Sequence, residues 1–247
     1  MKKIGIVFIG TGLYAGFFDG FYKRVKRYFC STEEKTFFVF TDLVNHPYFQ
    51  DKYDVDINEI SHVEWPFITL HRFKFMNSIK EKLSKMDYVV FIDADLWPIE
   101  ETNLSELTFD SSKELFGVQH PGFIGKEGTF EDNKKSRAYA YNQGFDLSNY
   151  WQGCFWGGKS NKILEMISIL EERVDKDYEE GVVAKWHDES HTNKFFLENK
   201  NSVLTLHPGF ALPEANGYEM VWNSFQPKMI HLDKDPKNFP RFEGLKK

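Results

Sequence analysis

Four short stretches of this sequence carry residue types and spacings that could do chemistry. In "YVVFIDADLWPIE", Asp93 and Asp95 follow an apolar run with one residue between them. Two carboxylates so close repel unless a cation lies between them. Such hard oxygen ligands suit Mn²⁺ or Mg²⁺, which keep waters and complete their shell with substrate phosphates. A cation there would neutralise charge on a departing diphosphate. A solvated turn is the competing reading of so short a motif. The second stretch, "KWHDESHTNKFF", crowds His187, Asp188, Glu189 and His191 together. On a helix the two histidines would be one turn apart, as in an H-E-x-x-H zinc site, but Asp188 stands where that motif needs its general-base glutamate. The alternative is a polar helix start with Asp188 and Glu189 near the positive end of the helix dipole. The glycines of "GCFWGGKS" permit either close approach of a ligand or a tight turn. In the tail "DKDPKNFPRFEGLKK", Lys237 and Arg241 could clamp phosphate oxygens or belong to a solvated terminus.

The elements that must position these residues follow from hydrophobic periodicity. "KKIGIVFIGTG" predicts a strand over Ile4–Ile9 with a glycine turn at Gly10 and Gly12. Phe18, Phe21, Val25 and Tyr28 then repeat at helical spacing. "KTFFVFTD" predicts a second strand ending at Asp42. Phe73, Met76, Ile79, Leu83 and Met86 mark a helix that starts after Pro66, and "DYVVFI" is a third strand. Alternation of strands and helices predicts an α/β fold with a mainly parallel sheet. Ligands of such sheets bind beyond the carboxyl ends of the strands. The glycine turn, Asp42 and the Asp93/Asp95 pair would all collect there. Further on, "ELFGVQHPGF", "NYWQGCFWGGKS", "SVLTLHP" and "PKMIHL" read as strands. Ile163, Ile167, Leu170 and Val174 mark another helix, and the segment around residues 127–145 reads as a polar loop or hairpin. No repeat or linker interrupts the chain, so residues 1–247 are expected to form a single domain.

Composition narrows the class. The chain has 247 residues, 41% hydrophobic and 28% charged, as in soluble globular proteins. Its 17% aromatic content suits either an aromatic core or an aromatic-walled cleft. A net charge of −6 argues against a nucleic-acid or membrane-surface footprint. The two cysteines, Cys30 and Cys154, lack metal-ligand spacing and read as free thiols of a reducing compartment. With no secretory signal or membrane-spanning run, the expected location is cytoplasmic.

The ordered series "VFIGTGLYAGFF", "FFVFTD", "FIDAD", "HPGF", "GCFWGG", "WHDESHTNKFF" and "PKNFPR" resembles the family 6 glycosyltransferases, the family of the histo-blood-group A and B transferases and α-1,3-galactosyltransferase. The resemblance spans nearly the whole chain, and "WHDESH" followed by "NK" is its most specific part. It implies a GT-A fold, a Rossmann-like sheet flanked by helices. It also implies transfer of galactose or N-acetylgalactosamine from a UDP-sugar to a 3-hydroxyl of an acceptor glycan, with retention of α configuration. Asp93 and Asp95 would hold Mn²⁺, with Mg²⁺ as the alternative ion. Phe8, Ile9 and Tyr14 would contact uridine, and Arg72 would approach the donor. Gln152, Gly153 and Cys154 would lie against the donor sugar, where the Cys154 thiol would favour galactose. Asp188 would bind donor hydroxyls, while Glu189 would act at the anomeric carbon and meet the acceptor. His120 and Trp186 would shape the acceptor site. Lys237 and Arg241 would close over the diphosphate as the tail from residue 233 orders. A metal-dependent UDP-sugar hydrolase and a non-catalytic sugar-binding protein are the other readings.

Overall fold

The computed structural model describes residues 1–108, 112–214 and 219–233. Ten strands are present among them. They are β1 (Lys3–Ile9), β2 (Glu34–Thr41), β3 (Val55–Glu59), β4 (Tyr88–Ile92), β5 (Leu96–Pro98), β6 (Leu115–Gln119), β7 (Trp151–Lys159), β8 (Val203–Leu206), β9 (Leu212–Pro213) and β10 (Met229–His231). Seven form one sheet in the order β3-β2-β1-β4-β7-β6-β8, and β5, β10 and β9 form a second, small one. In the large sheet only β7 runs against its neighbours; the pairs β1 with β2, β1 with β4, β2 with β3 and β6 with β8 are parallel.

Side chains on a strand alternate between faces, and the sequence uses that to build a core on each side of the sheet. Ile4, Ile6 and Phe8 of β1 and Val90 and Ile92 of β4 face a cluster with Phe18, Phe21 and Val25 of the helix Phe18–Tyr28. Val7, Val89 and Phe91 face the other cluster, with Phe73, Met76 and Leu83 and with Ile163, Ile167 and Leu170 of the helix Ser160–Glu179. Each such fully buried aromatic or aliphatic side chain contributes about 1.5–3 kcal/mol, so both layers are held by many comparable contacts. This is the helix-flanked, mostly parallel α/β sheet of GT-A type that the sequence predicts.

Three local features depart from expectation. The apolar repeat from Phe73 to Met86 is not one helix, because the backbone leaves helical geometry at Ile79 (φ −116°, ψ 22°) between Arg72–Ser78 and Lys80–Leu83. Phe73, Met76, Ile79 and Leu83 are buried nonetheless. β3 was not anticipated: its "VDINE" has only two apolar residues, Val55 and Ile57, and lies half-buried at the sheet edge. In "GCFWGGKS", Gly157 and Gly158 serve strand packing. A Cβ at Gly158 would lie 2.3 Å from the Glu114 carbonyl oxygen, and one at Gly157 would lie 2.7 Å from that of Val89.

Candidate functional site

The reversed direction of β7 builds the site. Its first residues lie at the edge where β1, β2 and β4 end, and Cys154 accepts a hydrogen bond from the Asp93 backbone N–H at 2.9 Å. Gln152 and Gly153 thereby sit beside the loop that carries Asp93 and Asp95. At the same edge, the Gly12 N–H donates to Asp42 at 2.9 Å, which fixes the turn after β1. The glycine turn, Asp42 and the acidic pair do converge.

Asp95 is almost wholly buried and Asp93 half-buried. His231, on β10, places its Nε2 3.1 Å from Asp95 Oδ1. One ligand atom from each of Asp93, Asp95 and His231 lies within 4.8 Å of the others. Two carboxylate oxygens and an imidazole nitrogen so disposed fit a divalent cation in donor chemistry and spacing. Among the described residues this is the only such group of three. His187 and His191 do not form the zinc pair weighed above. His187 packs edge-on against Trp65 with ring centroids 4.5 Å apart, whereas His191 is buried 3.6 Å from Asp177.

Arg72 holds the acidic groups together. Its guanidinium lies 3.0 Å from Asp188 Oδ2, 3.5 Å from Asp93 Oδ1, and donates to the Gly153 carbonyl at 3.0 Å. The same group sits over the Phe91 ring at 4.3 Å. Both Arg72 and Asp188 are 6% exposed. Burial raises the pKa of Asp188, with Arg72 opposing.

Glu189 lies in the first turn of the helix His187–Glu198. Its two oxygens have separate donors: Tyr150 Oη at 2.7 Å to Oε1, and the Gly153 N–H at 2.8 Å to Oε2. Gly153 is tightly placed: a Cβ there would come 3.2 Å from the Glu189 Cβ and 3.4 Å from Asp188 Oδ2. Burial raises the Glu189 pKa to about 7, while the bonds from Gly153 and Tyr150 pull it down. Asn193, one turn along, accepts from the Trp151 N–H at 2.9 Å and donates to the Trp151 carbonyl at 2.7 Å and the Glu189 carbonyl at 2.9 Å. It locks the helix to the start of β7. Replacing Asn193 by alanine leaves both buried polar groups of Trp151 without their partner, so we expect a loss of about 1–3 kcal/mol, read from a lower urea midpoint with unchanged slope.

Two clefts meet at these residues. One of ≈ 430 Å³ is lined by Ile9, Thr11, Tyr14, His62, Trp65, Arg72, Asp93 and Asp95, among others. The other, ≈ 180 Å³, includes Gln152, Gly153, Cys154, Trp186, Asp188, Glu189 and His231 in its lining. Trp65, Thr69, Arg72 and Asp93 belong to both. The structure thus gathers Ile9, Tyr14, Arg72, Asp93, Asp95, Gln152, Gly153, Trp186, Asp188 and Glu189. Phe8 is not among them: its ring is wholly enclosed against Phe18 and Phe21, with centroids 5.0 Å away in each case. Cys154 lines the smaller cleft but is 2% exposed and belongs to the core cluster, so its thiol gives a ligand little to touch. His120 stands one layer back at the end of β6, its N–H donating to the Tyr150 carbonyl at 2.8 Å. Burial lowers its pKa to about 4. Lys237 and Arg241 lie outside the described residues.

Tyr150, His231, Trp65 and His62 carry site geometry that sequence reading did not assign. Tyr150 adjoins "WQGC" and was a visible neighbour of the glycine motif. His231 lies in a predicted strand, where nothing in the local pattern singles out its histidine. No helix among the described residues is long and apolar enough to cross a membrane.

Known proteins resemble this chain along nearly its whole length. Residues 2–238 match the description "Glycosyltransferase family 6". The chain is similar to the O-antigen biosynthesis glycosyltransferase WbnI of Escherichia coli, 31% identical over 237 residues covering 96% of this chain and 97% of the relative. It is 26% identical over 245 residues to the histo-blood group ABO system transferase 2 of Rattus norvegicus, covering 95% of this chain and 70% of that one. The globoside alpha-1,3-N-acetylgalactosaminyltransferase 1 of Gallus gallus is 25% identical over 253 residues, covering 96% of this chain and 68% of that protein.

Proposed function

The chain belongs to glycosyltransferase family 6, and from that premise we propose that it transfers galactose or N-acetylgalactosamine from a UDP-sugar to the 3-hydroxyl of an acceptor glycan, with retention of α configuration. The names of two relatives support the type of acceptor and the linkage: one acts in O-antigen biosynthesis and another is an alpha-1,3-transferase. The observation that carries the reading is the junction of the two clefts. There an anchored carboxylate, Glu189, shares one space with the Asp93/Asp95 pair and Arg72. The larger cleft takes the nucleotide, with Ile9 and Tyr14 against uridine, and the smaller takes the donor sugar against Gln152, Gly153 and Asp188. Trp186, with His120 behind Tyr150, shapes the acceptor side. The chain acts as one catalytic domain.

Asp93 and Asp95 would hold a Mn²⁺ or Mg²⁺ ion, which would supply charge neutralisation at the departing UDP. Arg72 adds a fixed positive charge beside Asp93 and keeps Asp188 ionisable for hydrogen bonds to sugar hydroxyls. Glu189 works on the anomeric carbon. As nucleophile it forms a glycosyl-enzyme, and a second inversion by the acceptor restores the α configuration. On a front-face path the same carboxylate only stabilises the oxocarbenium-like charge. Either role needs the anion.

That requirement fixes a pH dependence. Because the folded pKa of Glu189 is raised to about 7, the anion predominates above that pH and the inactive acid below it. The donor kcat/KM, which reports the free enzyme, should therefore rise through pH about 7 and level off. Tyr150→Phe removes a bond that lowers this pKa, so the limb should move to higher pH while the alkaline plateau falls less. A limb that stays in place would remove Glu189 as its source.

The function is tested by incubating the protein with UDP-Gal, UDP-GalNAc and UDP-Glc and a set of acceptor glycans, then assigning product linkage and anomer by NMR. A 3-linked α-glycoside is expected. Hydrolysis alone would identify a UDP-sugar hydrolase, and a β product would exclude retention.

A further inference from the structure

His231 comes from a different part of the fold than the acidic pair it meets. Asp93 and Asp95 follow a strand of the large sheet, whereas His231 ends β10 of the small one. We propose that His231 is a third protein ligand of the divalent cation, bound through Nε2, and that its nitrogen makes the site prefer Mn²⁺ to Mg²⁺. The inference rests on the cation site proposed above and adds to it a ligand and an ion preference.

Two observations carry it. The first is convergence: Nε2 lies 3.1 Å from Asp95 Oδ1, with the Asp93, Asp95 and His231 ligand atoms all within 4.8 Å of one another. The side chains of Asp95 and His231 are 2% and 15% exposed. A cation entering so enclosed a place gives up water and needs protein ligands in exchange. Mg²⁺ parts with water reluctantly and favours oxygen, whereas imidazole is better accepted by ions further along the transition series. Two aspartates alone would discriminate weakly between Mn²⁺ and Mg²⁺; two aspartates and a histidine would not.

The second observation is on the far side of the ring. To ligate through Nε2, a neutral imidazole must carry its proton on Nδ1 and needs an acceptor there. Gln152 is the neighbour. Its amide nitrogen lies 3.5 Å from His231 Nδ1, and its amide oxygen is buried with no hydrogen-bond partner. A half-turn of the amide exchanges the two atoms. The oxygen then accepts from Nδ1–H, which ends its isolation and fixes the tautomer that ligation requires. Outer partners of this kind orient ligating histidines. Gln152 also precedes Gly153, whose N–H holds Glu189, so the ion site and the carboxylate at the anomeric carbon are tied through adjacent residues of β7. The competing neutral arrangement, with Nε2–H donating to Asp95, Nδ1 unprotonated and no ligation, leaves the Gln152 oxygen isolated.

The test uses the full chain, free of any added histidine tag, with Mn²⁺ in the presence of UDP. Electron spin-echo modulation of bound Mn²⁺ should show coupling to an imidazole nitrogen, lost in His231→Ala. Binding titrations should show Mn²⁺ affinity falling ~10-fold or more in that variant, with a much smaller change for Mg²⁺. Bound Mn²⁺ without nitrogen coupling in the unaltered protein, or unchanged Mn²⁺ affinity in the variant, overturns the inference while leaving the Asp93/Asp95 site standing. No saturable binding of either ion by the unaltered protein overturns both.

Discussion

Glu189→Gln should lower kcat for transfer by ~10³-fold or more, with the donor KM changed far less. The substitution keeps the size of the side chain and an oxygen for the Gly153 N–H, so the loss isolates charge from shape. What is removed is an anion held by two donors at the meeting point of the clefts. In Glu189→Ala, external azide or formate should restore turnover if the carboxylate is a nucleophile, because a small anion can then occupy the vacated space. Steady-state kinetics with and without the anion reads both effects. Near-normal transfer by Glu189→Gln would remove the role assigned to this residue.

The second large effect concerns stability as well as activity. Arg72→Ala leaves Asp188 buried without the charge 3.0 Å away, and it also takes the donor from the Gly153 carbonyl. Breaking a buried ion pair by removing one partner costs about 3–5 kcal/mol. For a chain of this size that corresponds to a melting temperature lower by roughly 6–20 °C. Adding Asp188→Asn should recover part of that loss, because the unpaired charge is gone, yet should not recover transfer if both groups contact the donor as proposed. Thermal unfolding of Arg72→Ala, Asp188→Asn and the double variant gives the coupling energy directly. Purely additive losses would show that Arg72 stabilises the fold through its other contacts, the Gly153 carbonyl, Asp93 and the Phe91 ring, and not through the pair with Asp188.

How much of this was legible in sequence depends on the physical range of each signal. Periodicity is local, and the local elements came out close to prediction: Ile4–Ile9 became Lys3–Ile9, and the Phe18/Phe21/Val25 stripe became the helix Phe18–Tyr28. Edge strands carry weaker patterns, so "VDINE", half-buried and acidic, gave no warning. Strand direction is not local at all. That β7 runs antiparallel follows from the path of the chain, yet this reversal places Gly153 under Glu189. Residue type also misled where burial decides. Phe8 lies one residue before the end of an apolar strand, but the period-2 alternation that turns Ile9 to the cleft turns Phe8 into the core. His231 was missed because Asp95 lies 136 residues away, a pairing only the tertiary structure supplies.

The central claim is that the Asp93/Asp95 pair exists to hold a cation against the diphosphate of a UDP-sugar. The most direct measurement is UDP release from UDP-Gal and UDP-GalNAc, with acceptor present, in Mn²⁺ or in EDTA, for the unaltered protein and Asp95→Ala. Release that requires the metal and is lost in the variant is the expected result. Release that persists in EDTA at an undiminished rate, or in Asp95→Ala, would contradict the claim and make the pair structural.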